Sequence, residues 1–382
     1  MEASGWRRLV IDRSALIHNM TCFRRHLPAS SRLLAVVKAN GYGHGLVLAA
    51  EAFLAGGADV LGVHDLPEAA TLRQAGIVAP VLVLGPSTGA ETVAAAGMKV
   101  EITVPSLELA RRAVASLAEA GPEARVHLKV ETGVNRQGIV EEELQETLAV
   151  LASSPRIRLV GLSSHFADIE DTTDHAFAHK QRDRFEAWTA RLAEYGHGNL
   201  TRHMSCSAAA VLWPDARVEM VRVGVSAYGL WPSRETLVSS RATGVVGLEL
   251  QPAMSWRCDV GQIRRVPAGE TVGYGRSWKA PIDSRIAVLP VGYADGYPRA
   301  LSGRAHVLIR GHRAPLVGRV CMNLCMVDVT NVPGARDGDE VVLLGRQGDD
   351  GVTIEQMASW LGTIPYEVLT LPGGSWNRIL ED

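Results

Sequence analysis

Residues 33–45 of the chain read LLAVVKANGYGHG. The first five, Leu33–Val37, form an uninterrupted apolar run, which is typical of a strand buried on both faces of a parallel sheet. Lys38 stands where this run ends, and a glycine-rich loop follows it. Parallel α/β folds place their chemistry at the carboxyl ends of strands. The stretch therefore predicts a parallel fold with Lys38 at its functional edge.

Similar apolar runs recur along the first 225 residues, and helical patterns lie between them. For example, Leu16, Met20 and Phe23 share one helix face that Asp12 could cap. Strand and helix alternating eight times predict a TIM-like α/β barrel, (β/α)8. An open doubly wound sheet is the alternative, which the lack of G-x-G-x-x-G after the first strand disfavours. The eight runs are Leu33–Val37, Val60–Val63, Val81–Leu84, Val100–Val104, Val126–Val130, Ile157–Leu162, Thr201–Met204 and Val218–Val223.

The pattern of apolar and polar residues changes after about Leu230. Alternating segments such as Ala253–Val260 and Arg285–Val291 are separated by Gly, Pro and Asp turns, which is typical of a β domain. We therefore expect a barrel over residues 1–235 and a C-terminal mainly-β domain over residues 236–382, with one helix at Ile354–Leu361. Met1–Val10 is an additional segment that could pair with the β domain.

Composition limits the classes of partner and compartment. The chain has 382 residues and a net charge of −2, with no basic face of the kind that nucleic acid requires. Its five cysteines include no C-x-x-C pair, so we expect free thiols and no metal site. The segment Met1–Val10 lacks the apolar core of an export signal, and no run reaches the ~18 apolar residues of a membrane helix. These features predict a cytoplasmic protein that binds neither nucleic acid nor a membrane.

Polar side chains follow several of the predicted strands and would converge at one barrel mouth. They are Lys38, Arg136, His165, Ser207 and Arg222. Taken singly, a lysine here is as well explained by simple solvation, and a histidine or arginine by a structural role. Together they indicate a site, in which Lys38 is a candidate Schiff-base lysine.

A phosphate site is indicated at the same mouth. Gly224 and its neighbours offer backbone N–H groups, and barrels often bind phosphate after strands seven and eight. Ser207 and Tyr42 could add hydroxyl donors. Phosphate beside a lysine suggests pyridoxal 5'-phosphate (PLP), a cofactor that acts as an electron sink.

At these residues the chain resembles the alanine racemase family over nearly its full length. The resemblance rests on a combination of motifs in both predicted domains, and the combination is more specific than any one of them. The motifs are AVVKANGYGHG (35–45), HLKVETG (127–133) with Arg136, SAA (207–209), VRVG (221–224), VGYG (272–275), VGYADGY (291–297) and GRVCM (318–322).

The resemblance implies racemisation of alanine by two bases. Lys38 would hold PLP and act as one base, and Tyr274 would be the other, reaching in from the partner of a head-to-tail homodimer with shared active sites. Two bases on opposite faces of Cα are the simplest way to remove and return a proton. A tyrosine base needs help, which His165 hydrogen-bonded to Arg222 would give, because a nearby cation favours phenolate. The implied use is D-alanine supply for peptidoglycan, with a catabolic role as the alternative.

The resemblance also implies binding roles. Arg222 would meet the PLP pyridine nitrogen and, because arginine keeps its proton, would leave that nitrogen unprotonated and transamination infrequent. Arg136 would contact the PLP phenolic oxygen and the substrate carboxylate, Lys129 would be carbamylated and orient Arg136, and Tyr293 would line the substrate entrance. The Met322 backbone would also meet the carboxylate. The phosphate would be held by Tyr42, Ser207, Gly224, Val225 and Tyr366.

Two departures from the family pattern bear on substrate choice. Asn323 replaces the usual aspartate and removes a negative charge beside the carboxylate site, and Pro372–Arg378 replaces an Arg-Val-Pro segment. A serine or broad-spectrum amino-acid racemase is therefore one alternative. A non-catalytic PLP-binding protein is another, although it needs no Tyr274. A PLP decarboxylase of basic amino acids would want an acidic group where Arg222 stands, and a decayed barrel would have lost catalytic groups that are all present here.

Overall fold

The computed structural model describes residues 6–117, 120–373 and 376–381. The chain divides into two compact units. A barrel unit comprises Ser14–Gly41 and Leu46–Pro252. A β unit comprises the chain up to Arg13, including β1 (Arg7–Asp12), the short segment Tyr42–Gly45 and the chain from Ala253 onward.

The described residues of the barrel unit form eight parallel strands in one sheet, in the order β8-β7-β6-β5-β4-β3-β2-β9, and β8 and β9 come together so that the sheet is nearly closed. All eight predicted strands are present, and the predicted α/β barrel with a C-terminal β domain is confirmed. Most strand residues are fully buried, as the continuous apolar runs required. The strands are β2 (Arg32–Val36), β3 (Val60–Val63), β4 (Val81–Pro86), β5 (Glu101–Val104), β6 (Ala124–Lys129), β7 (Ile157–Ser163), β8 (Thr201–His203) and β9 (Met220–Val223).

Helices connect the strands, and local signals explain where several of them begin. The side chain of Ser106 caps the helix at Leu107, and Thr88 and Glu91 form a capping box. Leu16 and Met20 face the core, as their spacing predicted. The helices are α1 (Arg13–His26), α3 (Leu46–Ala55), α4 (Leu66–Gln74), α5 (Gly89–Gly97), α6 (Leu107–Ser116), α7 (Leu144–Ala152), α8 (Ala176–Glu194), α9 (Ser207–Leu212) and α10 (Arg234–Ala242), while the segment labelled α2 (Lys38–Tyr42) is a left-handed turn.

The boundary between the units lies later than the predicted one. Residues 236–252, which the change of pattern assigned to the β domain, group with the barrel. The reason is a reciprocal contact: the backbone N–H of Gln251 donates to Asn19 Oδ1 at 2.8 Å, and Asn19 Nδ2 donates to the Gln251 oxygen at 2.8 Å. Asn19 lies on α1, so this pair ties the end of the segment to the first helix.

The β unit is built around a mixed sheet in the order β16-β15-β18-β10-β1-β20, with β19 beside β18. A second sheet has the order β11-β14-β17, and β12 pairs with β13. The strands are β10 (Met254–Asp259), β11 (Gln262–Val266), β12 (Thr271–Val272), β13 (Trp278–Lys279), β14 (Ser284–Leu289), β15 (His306–Ile309), β16 (His312–Pro315), β17 (Cys325–Asp328), β18 (Glu340–Gln347), β19 (Asp350–Val352) and β20 (Asn377–Glu381), with helices α11 (Ile354–Leu361) and α12 (Pro365–Thr370).

The amino-terminal strand belongs to this β unit. β1 pairs antiparallel with β10 and parallel with β20. Residues 1–5 of the segment Met1–Val10 lie outside the described residues. Residues 374–375 of the segment Pro372–Arg378 lie outside them as well. Cys321 lies in a loop, and Cys325 begins β17.

Two negative observations concern only the described residues 6–117, 120–373 and 376–381. None of their helices combines the length and the apolar character needed to cross a bilayer. No group of three His, Cys, Asp or Glu side chains in them is arranged to hold a metal ion.

Candidate active site

A cavity of about 320 Å³ opens at the carboxyl ends of the barrel strands. The fold brings five of the predicted site residues together there, because they lie at or after the carboxyl ends of four strands, β2, β6, β7 and β9, with Lys129 and Arg136 both supplied by β6 and its loop. They are Lys38, Lys129, Arg136, His165 and Arg222. His203, the last residue of β8, also lines the cavity, and sequence reasoning did not single it out. Its signal was a histidine inside a short barrel strand, since branched apolar side chains dominate the interior of such barrels.

Arg222 is held by hydrogen bonds at both terminal nitrogens. Nη1 donates to the oxygen and the Nδ1 of His203, at 2.7 and 2.6 Å. Nη2 donates to the oxygens of Ser164 and Met204, at 2.7 and 3.1 Å, and to His165 Nδ1 at 3.1 Å. Within the described residues its Nε–H donates no hydrogen bond. Burial lowers the pKa of Arg222 to about 10, so the guanidinium stays charged at neutral pH, is fixed in orientation and keeps one N–H for a ligand.

The cavity concentrates positive charge. Burial, followed by repulsion from Arg136, lowers the pKa of Lys38. Burial and the charge of Arg222 lower the pKa of Lys129 to about 8. The same two causes lower the pKa of His165 well below its usual range and keep that imidazole neutral. Amines with depressed pKa values in a cationic cavity are suited to nucleophilic chemistry and to binding anions.

Lys38 is followed by a left-handed turn. Ala39 and Asn40 have φ values of 55° and 54°, a conformation that costs about 1–2 kcal/mol per non-glycine residue. Asn40 holds the turn, since its Oδ1 accepts from the N–H of Leu46 at 2.9 Å and its own N–H donates to Glu68 Oε1 at 3.3 Å. Backbone strain that is held in place in this way is found mainly at functional sites.

The loops after β8 and β9 meet each other. The N–H of Gly224 donates to Ser207 Oγ at 3.0 Å. Ser207 begins α9, and Val225 begins a 3-10 turn that ends at Tyr228. Hydroxyl and backbone N–H groups are thus collected at the two loops where barrels commonly bind phosphate.

In the β unit, Tyr274 follows Gly273, whose φ of 77° favours glycine, and a Cβ there would lie 2.8 Å from Met326 Cε. The Tyr274 side chain is exposed, with 71% of its surface accessible, and so is that of Met322, with 57%. Tyr293 is also exposed. The rings of Tyr42 and Tyr366 lie 6.3 Å apart, on the short segment and on α12 of the same unit.

Asn323 contacts a buried carboxylate. Its Nδ2 donates to Asp295 at 3.3 Å, and the N–H of Gly292 donates to the same side chain at 3.0 Å. Arg7 pairs with this carboxylate, and the indole N–H of Trp376 donates to the Asp295 backbone oxygen. Asn323 therefore fixes a loop through an interaction that an aspartate at this position could not make.

Comparison with known proteins gives one consistent result. The family model "Alanine racemase, N-terminal domain" matches residues 11–232, and "Alanine racemase, C-terminal domain" matches residues 253–380. Alanine racemase of Leptospira interrogans is 34% identical over 383 aligned residues, which cover 99% of this chain and 96% of the relative. Alanine racemase of Symbiobacterium thermophilum is 41% identical, over 94% of this chain and 93% of the relative.

Solved structures agree with the sequence matches. The crystal structure of alanine racemase from Bacillus anthracis with bound L-Ala-P is similar with a TM-score of 0.93 and 33% identity, covering 100% of this chain and 96% of that one. Alanine racemase from E. faecalis is similar with a TM-score of 0.91 and 35% identity, covering 100% of both chains.

Proposed function

Because the chain belongs to the alanine racemase family, we propose that it interconverts L- and D-alanine with PLP as cofactor, in a homodimer with shared active sites. The observation that carries the proposal is the cationic cavity in which Lys38, Arg136 and Arg222 meet at the barrel mouth. It combines an amine of lowered pKa with groups for an anionic cofactor and an anionic substrate.

The residues of the barrel unit fit PLP. A cavity of about 320 Å³ is within the usual range for a small cofactor site. Lys38 would bind the cofactor covalently through Nζ, and the Nε–H of Arg222 would meet the pyridine nitrogen. Ser207, Gly224 and Val225 would hold the phosphate. When bound, PLP supplies an electron sink that stabilises negative charge on Cα of the substrate.

The chain's own residues would move the proton. Lys38 would take or return it on one face of Cα, and Tyr274 of the partner subunit would act on the other face. Arg222 can only donate a hydrogen bond, so His165 Nδ1 accepts and the Nε2 of His165 carries the proton. That N–H would stabilise the phenolate of Tyr274, and Arg222 would supply the cation behind it.

Substrate orientation would depend on Arg136 and Lys129. Arg136 would bind the alanine carboxylate, as would the Met322 backbone, and Tyr293 would line the entrance. Lys129, with a pKa of about 8, holds a larger neutral fraction at neutral pH than an unperturbed lysine does, and carbamylation by carbon dioxide requires the neutral amine. A carbamate there would bind and orient Arg136. The enzyme would work in the cytoplasm and supply D-alanine for peptidoglycan.

Loss of optical rotation from L-alanine by the purified protein with PLP tests this proposal, with L-serine in a parallel cell. We expect rapid loss with alanine and slow loss with serine. Comparable rates would make the protein a broad-spectrum racemase. Retained rotation with both substrates, although PLP is bound, would contradict racemisation and favour a PLP carrier or a decarboxylase.

Asn323→Asp is expected to raise the KM for alanine and the inhibition constants of carboxylate-mimicking inhibitors, by about 2- to 10-fold. A second carboxylate near the substrate carboxylate repels it, and one exposed charge pair is worth about 1 kcal/mol. The variant also places this carboxylate against Asp295, so it should unfold at a lower temperature. Asn323→Ala is the control, since it removes the hydrogen bond to Asp295 without adding charge. Unchanged constants in Asn323→Asp would contradict the role of Asn323 in binding.

A further inference from the structure

A chain of hydrogen bonds runs through the interior of the barrel, below the cavity. Arg222 Nη1 is 2.6 Å from His203 Nδ1, His203 Nε2 is 2.9 Å from His127 Nδ1, and His127 Nε2 is 2.9 Å from Glu101 Oε2. Four different strands supply these side chains, and both imidazoles are 1% exposed. Glu101 is the first residue of β5, so this chain of hydrogen bonds ends towards the amino-terminal side of the sheet.

The chemistry of the partners gives this chain one direction. An arginine only donates, so His203 Nδ1 must accept and His203 Nε2 must carry the proton. That proton is donated to His127 Nδ1, and His127 Nε2–H is then donated to the carboxylate of Glu101. Both histidines are therefore held as the Nε2–H tautomer, and all four of their ring nitrogens have a hydrogen-bond partner.

Hydrogen bonds stabilise the negative charge of Glu101 at the far end of this hydrogen-bond chain. Burial alone would raise the pKa of Glu101, but the hydrogen bonds from His127 and Arg125 outweigh it and hold that pKa at about 2. Burial and the neighbouring Arg222 cation lower the pKa of His203 well below its usual range, so this imidazole is neutral. The chain thus joins a fixed cation at the cavity to a fixed anion, with neutral groups between them.

The surrounding sequence leaves room for this arrangement. A Cβ at Gly161 on β7 would lie 1.9 Å from His127 Nδ1, although no left-handed φ demands glycine there. The pairing between β6 and β7 also shifts register between Val126 and His127. The register shift in β6 and the absence of a side chain at Gly161 therefore both make space for the His127 ring.

We propose that Glu101 is a positioning residue, which acts through His127 and His203 to fix the guanidinium of Arg222 and so the N–H that Arg222 presents to the cofactor ring. The inference rests on the proposed function, in which Arg222 meets the pyridine nitrogen. Glu101 itself touches neither cofactor nor substrate. Energetic coupling of this kind changes binding by about 2- to 30-fold.

The direct test is the protonation pattern of the histidines in the cofactor-free protein. Long-range ¹H–¹⁵N correlation spectra of ¹⁵N-histidine-labelled protein should show two buried imidazoles protonated at Nε2, with Nδ1 as acceptor. In Glu101→Leu the Nε2–H signal of His127 should shift or disappear. A protonated Nδ1 on His203 in the wild type, or identical spectra for the wild type and the folded Glu101→Leu variant, would overturn the proposal.

The second readout is the dissociation constant of PLP, measured by absorbance titration. Glu101→Gln keeps the shape and an acceptor but removes the charge, and it should raise this constant by about 2- to 30-fold. Arg125→Gln removes the hydrogen bond that Arg125 donates to Glu101 on its exposed side, so it should raise the dissociation constant by a smaller factor. This variant replaces Glu101→Gln if Glu101→Gln does not fold. Glu108→Gln, an exposed carboxylate paired with Arg112 on α6, should change nothing.

The two readouts separate this inference from the proposed function. If Glu101→Gln bound PLP with the wild-type dissociation constant, the positioning role would be overturned, even if the histidine tautomers are as expected. The same holds for Arg125→Gln where that variant replaces Glu101→Gln. If the wild-type protein bound PLP but did not racemise alanine, the proposed function would fail alone, since neither readout depends on turnover.

Discussion

Tyr274→Phe is expected to lower the rate of alanine racemisation by about 10²- to 10⁴-fold while the protein keeps its bound PLP. This is the usual contribution of a positioned general acid or base. Phenylalanine keeps the ring and removes only the hydroxyl that exchanges a proton with Cα. Tyr274 is largely exposed in the β unit, so its hydroxyl contributes little to folding, and the unfolding temperature should not change.

Exchange of the Cα hydrogen in D₂O makes this test specific. With two bases, Tyr274→Phe should still exchange the hydrogen of one alanine enantiomer through Lys38, whereas exchange of the other should be lost. Tyr195→Phe is the matched control, because it makes the same chemical change at an exposed tyrosine after α8. Racemisation within a few-fold of the wild-type rate in Tyr274→Phe would contradict the two-base proposal.

Lys38→Ala is expected to abolish racemisation, with a loss of about 10³-fold or more, and to abolish covalent attachment of the cofactor. Lys38 is the candidate for both the covalent bond and one base, so a single substitution removes two contributions. Borohydride reduction of the wild-type protein followed by peptide mass spectrometry should find PLP on Lys38, and the variant should carry no such label.

Lys180→Ala provides the control for that experiment, since Lys180 is an exposed lysine on α8. It should retain full activity and the label on Lys38. Added methylamine should restore part of the activity of Lys38→Ala, because a free amine can replace the missing base in the space left by the side chain. A label on another lysine in the wild-type protein would contradict the assignment of Lys38.

Much of the fold was predictable from sequence because its signal is local. A continuous apolar run such as Leu33–Val37 identifies a buried strand without reference to any other part of the chain. The caps of helices, such as Ser106, are equally local. The short helix α12, which carries Tyr366, was missed because six residues are too few to show a helical period. The boundary after residue 235 differed from the observed one because the pair between Asn19 and Gln251 spans most of the barrel sequence.

The sequence by itself therefore determined the barrel, the β domain, the family and the residues that gather at the strand ends. Only the tertiary structure decided which polar groups meet. The contact between Asn323 and Asp295 and the hydrogen-bond chain from Arg222 to Glu101 each depend on the register of segments far apart in sequence. Burying apolar surface leaves a periodic trace along the chain, whereas a hydrogen bond between distant residues leaves none, because it is specified by distance and angle between two side chains.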